Sequence, residues 1–114
     1  MKPKQRDIFL VPFPFSDLSD KKIRPVLVLS NDRFNETNQD VVVCGITSNV
    51  TKQEYTLLIT SKDLEEGTLH AASAVKVESL LKLSQGLLIK KIGKLKKEKL
   101  REGIQLLDVL FKPT

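Results

Sequence analysis

Hydrophobic and polar positions alternate or run together in short blocks along this chain, and the blocks predict strands. Asp7-Ile8-Phe9-Leu10-Val11-Pro12 reads as a first strand that Pro12 stops. Ile23 to Ser30 is a β-branched and leucine-rich run with Arg24 and Pro25 at its mouth. It is too short for a membrane span and lacks a helical period, so it predicts a strand buried on both faces. Val41-Val42-Val43-Cys44-Gly45-Ile46 is a second such run and ends in Thr47-Ser48-Asn49. Tyr55 to Thr60 predicts a fourth strand. In Ser73 to Glu78, alternation puts Val75 and Val77 on one face and Lys76 and Glu78 on the other. Ser79 to Leu83 reads as a turn or short strand, and Leu87 to Ile92 as a sixth strand closed by Gly93.

Only the last segment has a helical period. Leu100, Ile104, Leu107 and Phe111 form one apolar stripe, widened by Leu106 and Leu110 and ended by Pro113. Gly103 weakens that helix by about 1 kcal/mol relative to alanine. A shorter helix is expected over 62–66, capped by Ser61 and stopped by Gly67. Two polar stretches read as loops. Phe13 to Lys22 is punctuated by Pro14 and Ser/Asp pairs, and Asn31 to Asp40 has room for one helical turn. Many short strands before one helix predict a mainly β fold: a small, strongly bent antiparallel barrel with a C-terminal α-helix against it.

Composition narrows the class. With 114 residues the chain is expected to form a single domain over 1–114 with one core. Charged residues are 29% and hydrophobic ones 40%, ordinary for a globular protein, and no run approaches a membrane span. The basic start, Met1 to Arg6, precedes an apolar stretch. Pro12 and Pro14 cut that stretch and no small-residue cleavage site follows, so no signal peptide is expected. The lone cysteine, Cys44, lies mid-strand and reads as a small buried hydrophobe. One cysteine and one histidine cannot make a structural zinc site. A cytoplasmic protein without metal or cofactor is the expectation.

The net charge of +5 permits a nucleic-acid partner. Lys90, Lys91, Lys94, Lys96, Lys97, Lys99 and Arg101 cluster near the C-terminus. They suit a solvated helix face beside a strand as well as an RNA surface. Phe13 and Phe15 can stack on bases or pack down as a lid.

The segments Asp7 to Leu18, Arg24 to Ser30, Ile46-Thr47-Ser48, Ser73 to Glu78 and Lys91 to Leu95 together resemble the MazF/PemK family of toxins, in family order and over nearly the whole chain. The resemblance implies an SH3-like barrel, a homodimer, and a metal-independent endoribonuclease acting on single-stranded RNA, usually mRNA. It also implies a cognate antitoxin as partner. The family's catalytic arginine maps onto Arg24 and its catalytic threonine onto Thr47. An acidic residue that one branch uses as base maps onto Glu78, two residues after the basic Lys76. Ser48, Lys76, Phe15 and Lys22 are the expected RNA contacts. Two departures stand out: the glycine that often precedes the first-strand aspartate is Arg6, and the loop histidine of some members is missing, the only histidine being His70.

The chemistry fits these residue types. RNA carries its own nucleophile, the 2′-OH. Cleavage needs a base for that proton, positive charge for the phosphorane, and an acid for the leaving 5′-oxygen. Arg24 suits the charge and Thr47 a hydrogen bond to a non-bridging oxygen, with Ser48 as substitute. Glu78 suits the base if burial raises its pKa. The plainer reading pairs Arg24 with Asp17 or Asp20, makes Thr47-Ser48 a turn, pairs Lys76 with Glu78 on the surface, and leaves His70 solvated. Two other functions share such a barrel. One is a gyrase-poisoning toxin, which would not need Arg24 and Thr47. The other is a non-catalytic SH3-like binding module.

Overall fold

A computed structural model describes residues 2–13, 22–51 and 53–114. Seven strands form one antiparallel sheet: β1 (Asp7–Phe13), β2 (Lys22–Val28), β3 (Asp40–Thr47), β4 (Thr56–Ile59), β5 (Leu64–Gly67), β6 (Ser73–Ser84) and β7 (Lys90–Leu95). Their order is β4-β6-β3-β2-β1-β7-β5. Helix α1 (Asp32–Thr37) joins β2 to β3, and helix α2 (Lys97–Leu110) closes the chain. The sheet curls into a half-barrel, the expected mainly β architecture with a C-terminal helix.

From Val26 on, β2 is buried on both sides like β3, as the apolar runs predict, whereas Ile23 at its mouth is exposed. Successive residues feed two separate cores. Ile8, Leu27, Cys44, Ile46, Val75 and Val77 belong to the first, where Leu100 of α2 joins them. Phe9, Val26, Val28, Val41 and Val43 belong to the second, with Leu83. The alternation of Val75 and Val77 inward against Lys76 and Glu78 is present.

Of the two readings of Ser79 to Leu83, turn or short strand, the strand holds, as a continuation of β6 to Ser84. The strand tolerates its polar stretch because Cys44 pairs with Leu80 while Gly45 pairs with Lys76. Val77, Glu78 and Ser79 are therefore extra residues, a bulge that bends β6. The helix expected over 62–66 is a single 3-10 turn, Ser61–Asp63. Its cap is Thr60 rather than Ser61, with Asp63 reaching back to the Thr60 N–H at 2.8 Å. Leu64 then drops into the core and pairs with Leu95, which turns 64–67 into a strand. The sixth expected strand starts later, because Ser84 caps a 3-10 turn over Gln85–Leu87. Gly93 lies inside β7 and does not close it. Phe111 leaves the apolar stripe of α2 and is 68% exposed.

Arg6 departs from ordinary backbone geometry. Its φ of 81° lies in the left-handed region, which costs a non-glycine residue about 1 kcal/mol or more. Its backbone is pinned on both sides: N–H to Val28 O at 3.0 Å, and carbonyl from Leu95 N–H at 2.9 Å. Its guanidinium donates to Leu95 O at 3.0 Å and to Glu65 at 3.3 Å, contacts glycine would lack.

Next to it, Asp7 is buried, 2% exposed. Lys4 N–H donates to its Oδ2 at 2.8 Å, and Lys91 Nζ lies 3.3 Å from Oδ1 as its counter-ion. Lys91 also meets Glu66 at 3.3 Å, so one ammonium ties β1, β7 and β5 together. Partial burial lowers the Lys91 pKa, but the Asp7 and Glu66 carboxylates outweigh it and hold the value above the ordinary 10.5.

Two stability tests follow from this packing. Lys91→Met strands the buried Asp7 carboxylate and is expected to cost about 3 kcal/mol near neutral pH, read by denaturant unfolding. A pKa raised on folding gives stability that is full below the unfolded value and fades as pH climbs through the folded one. The gap between wild type and variant should therefore hold at neutral pH and close above 10.5. The glycine pair gives opposite signs. At Gly67, φ is +83° and a Cβ would lie 2.3 Å from Ile92 O, so Gly67→Ala is expected to destabilise by more than about 2 kcal/mol. At Gly103 a Cβ would meet nothing nearer than Val77 Cγ1 at 3.6 Å, so Gly103→Ala should stabilise by about 0.5–1 kcal/mol.

Candidate active site

The site forms where β2 and β3 part. Pro25 has no N–H to give, and the β2–β3 ladder ends beside it, at the Val26/Gly45 pair. Two residues beyond that pair, and on the same face by the period-two alternation, stand Arg24 on β2 and Thr47 on β3. Thr47 in turn pairs with Ala74, and Gly45 pairs with Lys76, which puts Lys76 on that face too. Thr56 of β4 sits opposite Lys76. Farther down the same face lies the second apolar core, a rigid base under the polar end of the sheet.

Two cavities flank the parting strands. One, of about 470 Å³, is lined by Lys22, Ile23, Arg24, Pro25, Ile46, Ser48 and Ser73. The other, of about 90 Å³, is lined by Thr47, Asn49, Thr51, Gln53, Thr56, Ala74 and Lys76. They adjoin along Thr47-Ser48 and Ser73-Ala74, so consecutive residues open into different cavities. The structure thus gathers Lys22, Arg24 and Ser48 on one side and Thr47 and Lys76 on the other.

The Thr47 hydroxyl is held by its own turn. Its Oγ1 accepts the Asn49 N–H at 3.1 Å. Asn49 Oδ1 accepts from Thr51 N–H at 3.3 Å and Thr51 Oγ1 at 2.7 Å. With its oxygen engaged as acceptor, the Thr47 O–H is free to donate outward. Arg24 and Lys22 are exposed. Among the described residues no carboxylate lies within ion-pair distance of either. Asp17 and Asp20, the partners weighed for Arg24, lie outside the described residues, as does Phe15.

Glu78 and His70 line neither cavity. Glu78 sits in the β6 bulge, exposed, and accepts the Ser79 hydroxyl at 2.9 Å. The sequence puts it two residues from Lys76 and so on its face, but the bulge interrupts the pairing there. His70 is exposed in the bend before β6. The Cys44 thiol is fully buried; burial first, and the nearby Glu78 charge second, push its pKa up to about 12. It stays protonated, as its mid-strand position predicts. Among the described residues no group of three or more His, Cys, Asp or Glu could hold a metal ion. Asn49, Thr56 and Ser73 line the cavities without having been expected as site residues. The turn-forming Asn49-x-Thr51 was the one available signal.

Comparison with known proteins agrees with this architecture. The solved structures with the same fold include an endoribonuclease in complex with its cognate antitoxin from a Mycobacterial species, 16% identical, with a TM-score of 0.79 over 98% of each chain. The Mycobacterium tuberculosis toxin MazF-mt6 is 21% identical, with a TM-score of 0.75 over 93% of this chain and 96% of that one. A MazE-MazF structure from Deinococcus radiodurans is 17% identical, with a TM-score of 0.79 over 96% of each. No curated protein matches the chain in sequence. The family model for PemK-like, MazF-like toxins of type II toxin-antitoxin systems matches residues 4–111, and the chain belongs to that family.

Proposed function

We propose that this toxin is an endoribonuclease that cuts single-stranded RNA, mRNA in the first place, without a metal ion. The observation that carries the reading is the register of Arg24 and Thr47, each two residues past the end of the β2–β3 ladder and lining adjoining cavities. A phosphodiester laid across that fork meets a guanidinium from one strand and a hydroxyl from the other.

In the proposed reaction the 2′-oxygen attacks phosphorus and the bond to the 5′-oxygen breaks. The products are a 2′,3′-cyclic phosphate and a free 5′-hydroxyl. Negative charge grows on the non-bridging oxygens, where Arg24 donates in bidentate form and Thr47 adds a neutral hydrogen bond. Glu78 lines neither cavity, so the 2′-OH proton is assigned to solvent in the open cleft, and water returns one to the leaving 5′-oxygen. Ser48, Lys22 and Lys76 hold the flanking phosphates. The site acts in the cytoplasm, and an acidic antitoxin segment crossing these cations blocks it. The expected homodimer would cover some of the exposed apolar side chains, which include Leu80, Leu87, Ile89, Val109 and Phe111.

Cleavage of a long single-stranded RNA in EDTA, with the ends mapped, tests the reading. Discrete cuts ending in 2′,3′-cyclic phosphate are expected. Arg24→Ala should lower kcat about 10²–10³-fold, and Thr47→Val about tenfold, both without unfolding. Glu78→Gln should keep most of the activity. DNA of the same sequence should bind and stay intact. A folded wild type that cuts none of many RNAs would overturn the proposal in favour of gyrase poisoning or simple binding.

A further inference from the structure

A third cavity, of about 490 Å³, lies at the opposite end of β1 and is lined by Gln5, Arg6, Asp32, Lys97, Leu100 and Arg101. We infer that it is a second RNA-backbone site, a phosphate-binding exosite for the strand that runs on from the cleft. The inference rests on the RNA-cleaving reading.

Charge is the first argument. Three cations and one carboxylate face the cavity. Asp32 is already occupied, its Oδ1 accepting the Gln5 N–H at 2.8 Å. Arg6 is pre-set: its side chain is mostly buried, and its guanidinium is oriented by Leu95 O and Glu65. Lys97 and Arg101 are exposed, and among the described residues neither has an ion-pair partner.

The second argument is that this arrangement opposes the helix's own electrostatics. Lys97 and Arg101 are four residues apart on one face of α2, where like charges repel. Lys97 is also the first residue of α2, where the helix dipole disfavours cations, and the Lys96 side chain caps nothing. Lys97 gains the helix nothing at that position, and Arg101 has only Glu98, three residues before it, as a favourable neighbour on α2. Such a conflict between local preference and sequence is expected where a side chain serves a ligand. A phosphodiester relieves both effects, and guanidinium forks match its oxygens.

Position selects the occupant. Arg24 is paired with Val11 on β1, and Arg6 directly precedes Asp7, the first residue of that strand; Val11 and Asp7 are four residues apart, about 13 Å at ~3.3 Å per residue. A flexible polyanion can reach from one to the other; a short oligonucleotide confined to the cleft cannot.

The test compares wild type with the Lys97→Ala/Arg101→Ala double variant on a long single-stranded RNA and on a short oligonucleotide carrying the same cut. Alanine at exposed helix positions favours folding. For the long RNA, KM is expected to rise severalfold at low salt with kcat unchanged. The slope of log KM against log salt should fall by about 1.4, two single-strand phosphate contacts at ~0.7 each. The short oligonucleotide should show no change. Asp32→Asn, which keeps the acceptor for Gln5, should lower KM on the long RNA. Equal KM for both proteins on the long RNA would overturn the site, as would the same loss on both substrates. An unchanged KM with weakened binding of an acidic peptide would overturn it too, and would assign the cavity to a protein partner. Anisotropy with uncut RNA separates this from the failure of the function itself. If wild type binds but does not cut, the nuclease reading falls, and an unchanged Kd in the double variant overturns the exosite independently.

Discussion

Strand β3 has to be buried on both faces, and the rest of the molecule follows from that constraint. Val41 and Val43 point into one core and Cys44 and Ile46 into the other. A strand of this kind cannot lie at an edge, so β2 and β6 must flank it, and two separate covers are needed. The sheet supplies one cover by curling, and α2 supplies the other against β6 and β4. Full burial of one such side chain is worth about 1.5–3 kcal/mol. The central strands are therefore fixed far more firmly than anything at their ends.

That difference explains where the site sits. Chemistry requires polar groups in water, yet held to a fraction of an ångström. Both conditions are met where a rigid strand leaves the core. Pro25 ends the β2–β3 ladder without loosening the strand, since Val26 to Leu29 stay buried. Arg24 and Thr47 are thus carried on elements whose roots are in the core and whose tips are free. The hydrogen bond from Asn49 N–H to Thr47 Oγ1 adds local order at the tip itself.

The sequence made legible what depends on long-range burial. The two apolar runs became β2 and β3, the alternation around Val75 survived, and the helical stripe became α2. Arg24 and Thr47 stand in register past the end of the β2–β3 ladder and line adjoining cavities. What stayed hidden depends on short-range competition. Ser79 to Leu83 read as either turn or short strand, because the β6 bulge breaks the alternation that continues the strand. The helix over 62–66 failed because burying Leu64 outweighs the weak helical preference of a five-residue segment. Arg6 carries no mark of its left-handed backbone, which is set by bonds to Val28 and Leu95, both distant in sequence. Ile23 looked like core and is 56% exposed, because the sheet opens beside it.

The lysines show how far charge alone can be read. In the sequence the C-terminal cluster is one basic block. In the fold it separates by partner. Lys91 neutralises buried Asp7, and Lys99 meets Asp63 and Glu102; these are structural ions. Lys90, Lys94, Lys96, Lys97 and Arg101 have no such partner among the described residues, and neither do Lys22, Arg24 and Lys76 at the fork of the sheet. Desolvation divides the two groups. A buried carboxylate needs its cation, and that cation then presents little charge to a ligand. A cation left in water keeps its field and can release counter-ions when a polyanion arrives. Net charge counts both kinds alike. Only the second kind can draw RNA, and some of it lines the cavities at the two ends of the β1–β2 pair.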